Sequence, residues 1–221
     1  VIDTTGCTFD PVRHIYAIDG FPVVSVTQVL NEEKFIDFSG VPSDTLATAQ
    51  QRGTAVHKIL HFWLEHDYDL EDTAPEYRGY VDSALAYFDQ AQLQGLQHPL
   101  TGVPIGVEYR AWDRARRFAG TADYIAWDRD GVLAICDFKT GLPSEVAAPL
   151  QLAAYEHLVR LTLFPDHRFP IRRRALKLHR DGKPATVEPY GPDTGHAYHQ
   201  DIGTFFSALT CVHYRRNGMR H

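Results

Sequence analysis

The run Val132-Leu133-Ala134-Ile135-Cys136-Asp137-Phe138-Lys139 constrains this chain more than any other segment. Its apolar part is short, rich in strand formers and bounded by polar turns, which reads as a strand buried on both faces. Such a strand needs sheet neighbours at its edges and helices above and below. It ends on an acid and a base. Strand alternation points Asp137 and Lys139 to one face and Phe138 to the other, so a carboxylate and an ammonium emerge side by side. A carboxylate at the end of so apolar a run is costly unless something pairs with it. The D-x-K tripeptide alone is weak, since chance supplies roughly 0.6 acid-x-Lys triplets in a chain of this composition. Two others occur, Glu32-Glu33-Lys34 in a polar stretch and Asp181-Gly182-Lys183 in a turn, and both suit solvated surface charge.

Two more strands precede this one, over 105–112 and 118–127, separated by the polar runs 113–117 and 128–131. The three form an antiparallel meander. If Arg129-Asp130-Gly131 makes a three-residue loop with Gly131 left-handed, Asp128 pairs with Val132 and the same register sets Asp123 opposite Asp137. Side chains so opposed stand about 5 Å apart at Cβ, too close for two unpartnered carboxylates but suitable for sharing one hard divalent cation. A buried Asp–Lys ion pair with the second aspartate hydrogen-bonded nearby is the structural alternative.

The rest of the chain frames this meander. Apolar residues over 15–24 flank the turn signal Asp19-Gly20, predicting an N-terminal hairpin, and Ser25 is placed to cap a helix that begins at Val26. A long amphipathic helix opens at Ser43-Asp44 and carries His57. Pro75 starts another, ending near Gly95. Past the meander, 149–163 is helical, 171–178 and 186–190 are strands, and 204–214 is a final helix. Gln151 and Tyr155, four apart, share one helix face. The order is α+β, and 221 residues are enough for one sizeable core, so residues 1–221 are expected to form a single domain.

The net charge of −6 argues against a protein that coats nucleic acid, but it conceals an asymmetry: residues 1–100 hold 5 Lys/Arg against 15 Asp/Glu, and 101–221 hold 17 against 13. Two arginine clusters lie in the second half. Arg114, Arg116 and Arg117 fill the loop before the Asp123 strand, while Arg172, Arg173, Arg174 and Lys177 lie on a later strand. Both are candidate phosphate contacts, with the solvated face as the bland alternative. No tract is apolar enough to span a bilayer and the first residues lack a secretory pattern, so a soluble, cytoplasmic protein is expected. The three scattered cysteines suit reduced thiols.

Five short signals then fall in order: Gly53-Thr54-x-x-His57, Glu108, Gly120-x-x-Asp123, Asp137-x-Lys139-Thr140-Gly141 and Gln151-Leu152-x-x-Tyr155. This order resembles the RecB-like branch of the PD-(D/E)XK nucleases, which phage and mitochondrial exonucleases share. The match spans 53–155. The resemblance implies a restriction-endonuclease-like core, a central mixed sheet with the meander flanked by helices, to which the N-terminal hairpin and the C-terminal strands and helix are additions. It implies that Asp123, Asp137, the Phe138 carbonyl and His57 hold Mg²⁺ or Mn²⁺, that Lys139 steadies the attacking hydroxide, that Gln151 and Tyr155 orient Lys139 or the scissile strand, and that Glu108 borders the site. The implied activity is a DNA nuclease, an exonuclease rather than an endonuclease, in phage or bacterial recombination, replication or repair. Iron–sulfur members of the family need four cysteines, so no cluster is expected. There is no P-loop either, and any helicase or recombinase would be a separate partner. Rival readings are a nucleic-acid-binding or scaffolding protein that keeps the fold without cutting, and a small-molecule metallohydrolase. Oligomeric state is not legible.

Overall fold

In a computed structural model, residues 6–65, 68–98, 101–142, 144–166, 169–191, 194 and 197–218 are described. The chain opens with strands β1 (Cys7–Asp10), β2 (Ile15–Ile18) and β3 (Phe21–Ser25), an antiparallel ribbon. Asp19 and Gly20, both at positive φ, turn β2 into β3 as expected of a two-residue hairpin loop. Ser25 then caps α1 (Val26–Glu32) through a reciprocal box: its hydroxyl accepts from the Gln28 amide at 3.1 Å, and the Gln28 side chain accepts from the Ser25 amide at 3.0 Å. Strand β1 was not expected, because its four residues are too few to show a pattern.

Two long helices follow, α2 (Ser43–Leu64) and α3 (Pro75–Ala91), the second with Pro75 in its first turn. It stops at a left-handed Gln92 rather than near Gly95, and Gln94–Gly95 form a short strand, β4. The meander is β5 (Val107–Asp113), β6 (Phe118–Trp127) and β7 (Leu133–Lys139). Helix α4 (Ala147–Leu163) crosses over to β8 (Ile171–Lys177), which runs parallel to β7, and β9 (Thr186–Tyr190) adds an antiparallel edge. The last helix, α5 (Tyr198–Gly218), begins earlier than its apolar spacing indicated, since Tyr198-His199-Gln200-Asp201 is polar.

These nine strands form one mixed sheet, flanked by the five α-helices among the described residues. Strand β6 is its spine. One edge of β6 carries β5 and β4; the other carries β3 beside Phe118 and Ala119, then β7 beside Tyr124 to Trp127. Between these two pairings, residues 120–123 face the gap where β3 and β7 diverge. The β7 run behaves as its composition required: Leu133 and Ile135 join the core under α1, α4 and α5, whereas Ala134, Cys136 and Phe138 join the core under α2 and α3. Each fully buried Leu or Ile here contributes roughly 1.5–3 kcal/mol relative to exposure, which fixes β7 in the middle of the molecule. No helix among the described residues is long and apolar enough to cross a membrane.

Candidate active site

The β6–β7 loop has the expected geometry. Gly131 is left-handed at φ 71, and the Asp128 amide donates to the Val132 carbonyl at 3.0 Å. The ladder runs from Trp127↔Leu133 to Tyr124↔Cys136, and the next position in that register pairs Asp123 with Asp137. On the other edge, Val107↔Tyr124 and Tyr109↔Ala122 bracket Glu108, which therefore faces Asp123 from β5. Three acids stand in one row across three strands.

At that row the strands roll over. Ala122 packs in the α4 core and Tyr124 in the α2 core, although residues two apart on a regular strand share a face. Opposite them, Val107 packs on the α2 side and Tyr109 on the α4 side, and Glu108 between them takes φ 43, a left-handed conformation uncommon for a glutamate. The matched break at Glu108 and Asp123 frees both carboxylates from the usual alternation. The Asp123 side chain turns toward β7, where its Oδ2 accepts the Phe138 amide proton at 2.7 Å. Gly120, three residues earlier, lets α4 close on the gap: a Cβ there would sit 2.9 Å from the Tyr155 ring and from Val26.

Helices on both faces complete the cluster. From α2, His57 reaches over the row, its Nε2 donating to the Phe138 carbonyl at 2.8 Å and its Nδ1 lying 3.5 Å from Asp123 Oδ1. One ligand atom each from His57, Glu108 and Asp123 lies within 4.8 Å of the others. From α4, the Gln151 amide donates to Asp137 Oδ1 at 3.2 Å and to the Tyr155 hydroxyl at 3.0 Å, and its oxygen accepts from Lys139 Nζ at 3.3 Å. Lys139 Nζ also lies 2.7 Å from Asp137 Oδ2, a buried oxygen that accepts no aligned hydrogen bond among the described residues.

Electrostatics record the crowding. Burial pushes the Glu108 carboxyl up, and the neighbouring Asp123 charge lifts it further, to about 7. Burial works against a charged His57, yet the Asp123 carboxylate outweighs it and raises the imidazole to about 9. Asp123, though buried, is held below the ordinary range by His57 and the Phe138 amide, whereas burial of Asp137 raises its carboxyl despite Lys139. Lys139 keeps its proton because Asp137 more than offsets its desolvation. A protonated imidazole thus bridges Asp123 and the Phe138 carbonyl, doing with one positive charge what a metal ion would do with two. Carboxylate and carbonyl oxygens with a single imidazole make a donor set suited to a hard divalent cation. His57, Glu108 and Asp123 could hold one, next to the Phe138 carbonyl.

The structure therefore brings His57, Glu108, Asp123, Asp137, Phe138, Lys139, Gln151 and Tyr155 together. Glu108, expected only to border this group, faces Asp123 directly; an acid inside an apolar strand was the available signal. The basic clusters divide. Lys177 pairs in register with Lys139, at the site's end of the sheet. Arg114, Arg116 and Arg117 occupy the exposed β5–β6 loop, beyond that same end. Arg173 corrects the expectation of a phosphate contact. Its side chain is 1% exposed and packs against Glu156 at 3.3 Å and Asp201 at 2.8 Å, so it offers no surface to a polyanion. Arg172 and Arg174 lie at the opposite end of the sheet, 2.5 and 2.6 Å from Asp128 Oδ2.

No curated protein matches the chain. A family model does, and it matches residues 32–211, which take in α2, the whole meander, α4 and most of α5. With that match over most of its length and a mixed α+β sheet carrying the acid row and its lysine, the chain belongs to the PD-(D/E)XK nuclease superfamily.

Proposed function

We propose that this protein is a divalent-metal-dependent deoxyribonuclease, an exonuclease of the RecB-like branch that trims DNA ends in recombination, replication or repair. The observation that carries the reading is the row Glu108, Asp123, Asp137, crossed by His57 on one side and finished by Lys139 on the other. Two acids and an imidazole with ligand atoms within 4.8 Å of one another, beside a third acid already paired with Lys139, suit a cation better than a static ion pair. The order of the five motifs supports the RecB-like branch and, with it, action from an end.

A bound Mg²⁺ or Mn²⁺ supplies Lewis acidity, lowering the pKa of water and neutralising charge on the phosphoryl group. The chain does the rest. His57, with Glu108 and Asp123, would hold the ion as a neutral imidazole, its proton released to solvent. Lys139, fixed between Asp137 and Gln151, holds a positive charge where negative charge develops in the transition state, and it needs no reorganisation to do so. Tyr155 stays protonated, because burial raises its phenol well above the usual value, and it holds the Gln151 amide that orients both partners of the pair.

The test is digestion of end-labelled single-stranded and duplex DNA in Mg²⁺, Mn²⁺ or EDTA, beside Lys139→Ala. Wild type should degrade DNA only with metal, releasing short products from an end, and the variant should be slower by about 10³-fold. Cutting that survives in EDTA, or that runs at an undiminished rate in the variant, overturns the assignment, and internal fragments from a circular substrate would make the enzyme an endonuclease.

A further inference from the structure

A cleft of about 500 Å³ opens between β3, the β5–β6 loop and the C-terminal half of α5. Arg116, Arg117, His213 and Arg216 line it, and no acidic side chain does so among the described residues. It lies at the end of the sheet toward which Asp137 and Lys139 emerge: continuing the β6–β7 register sets Lys139 beside Thr121, and the loop begins a few residues beyond. Along β6, Asp123 to Phe118 spans roughly 17 Å at about 3.3 Å per residue.

The walls are pinned and the contents are open. His213 donates to the Arg116 carbonyl at 3.0 Å, tying α5 to the loop, and Arg216 pairs with Glu32 of α1. Arg116 is anchored from behind by the buried Asp113 and lies over the Phe206 ring at 4.5 Å. Arg117 has no carboxylate partner among the described residues; it lies over Phe21 at 5.7 Å, and Phe21 is 63% exposed. Guanidinium groups lying over rings, with unneutralised charge and an exposed ring left to solvent, suit bases and phosphates together. The volume falls in the range of small-ligand sites, a scale for one unpaired strand rather than a duplex.

We propose that this cleft carries a single strand of the nucleic acid on its way to or from the acid row. The proposal rests on the nuclease reading and extends it by giving α5 a role in strand binding. Thr210 provides the cleanest probe: it is exposed on α5 in the cleft wall, and among the described residues its hydroxyl bonds only to the Phe206 carbonyl of its own helix. Anisotropy of a fluorescein-labelled oligothymidylate in EDTA should show Thr210→Glu binding about five- to ten-fold more weakly than wild type and Thr210→Lys more tightly. Arg117→Ala should bind more weakly too, with a log–log salt slope shallower by about 0.7, the loss of one single-strand phosphate contact. Hydrolysis of bis(p-nitrophenyl) phosphate in Mn²⁺ reads the acid row alone, and Thr210→Glu should match wild type there. Unchanged oligothymidylate affinity in both Thr210 variants, or a larger effect on blunt duplex than on single strand, overturns the cleft. If wild type leaves the small ester intact while the Thr210 variants still shift affinity in opposite directions, the nuclease reading fails and the cleft stands.

Discussion

The arginine triplets of β8 and of the β5–β6 loop flank opposite ends of β6 and differ in what their arginines do. At the β6–β7 end, Arg172 and Arg174 converge on Asp128, with Asp130 as a second partner for Arg172, and Arg173 is sealed between Glu156 and Asp201. At the β5–β6 end, Arg114 has Asp19, Arg116 has Asp113, and Arg117 has only an aromatic ring among the described residues. The β8 triplet is electrically finished and contributes to folding. The second leaves positive charge near a row of acids that crowd one another. An arginine count cannot separate these cases; the position of the nearest carboxylate does.

Removing the keystone of the finished end should give the larger effect. Asp128 accepts from the Asp130 and Val132 amides at 3.1 Å, closing the hairpin loop, and its other oxygen takes both arginines. Asp128→Ala would leave the largely buried Arg174, 13% exposed at its side chain, without its carboxylate and would loosen the turn, so about 3 kcal/mol of destabilisation is expected. Urea denaturation measures it, with metal-dependent cleavage by the folded fraction kept near wild type. A loss of activity without a loss of stability would show that the two ends are not separate in function.

At the acid row, the corresponding lever is pH. The folded Glu108 holds its proton to about 7, above its ordinary 4.5, so the metal-free protein loses stability as pH rises through that window. His57, raised from 6.5 to about 9, adds stability that is complete below 6.5 and is lost as pH climbs through 9. Both signs agree: the apo protein weakens on the alkaline side because protons do the work of a cation. Mn²⁺ displaces those protons, so the rise in Tm over EDTA should grow by about 3 °C or more from pH 6 to pH 9, a change on the order of 1 kcal/mol. An increment that does not vary with pH would separate Glu108 and His57 from metal binding.

Much of this arrangement was legible because local chemistry dictated it. The apolar run before Asp137 forced a central strand, Gly131 forced the loop that sets the Asp123–Asp137 register, and the four-residue spacing of Gln151 and Tyr155 put both on one face of α4. Glu108 was harder to place. Its alignment depends on the β5–β6 loop, where Arg117 is itself left-handed, and on a strand roll that simple alternation assumes absent. Arg173 was illegible for a related reason: its partners come from α4 and α5, so its burial is a tertiary fact with no local signature. The β1 and β4 strands are too short to carry a period.

The smallest expected effect divides the arginines most sharply. Arg172 is 41% exposed at its side chain and so remains accessible to solvent, yet two carboxylates already neutralise it. A phosphate approaching it must displace Asp130 or share the guanidinium with Asp128, and either exchange gains little in a screened, half-exposed setting. Arg172→Gln should therefore change oligothymidylate affinity by less than about two-fold and leave the salt slope where it was, whereas Arg117→Ala moves both. Identical losses from the two substitutions would mean that the strand samples both ends of β6, and that neutralisation in the free protein does not predict which arginines meet the polyanion.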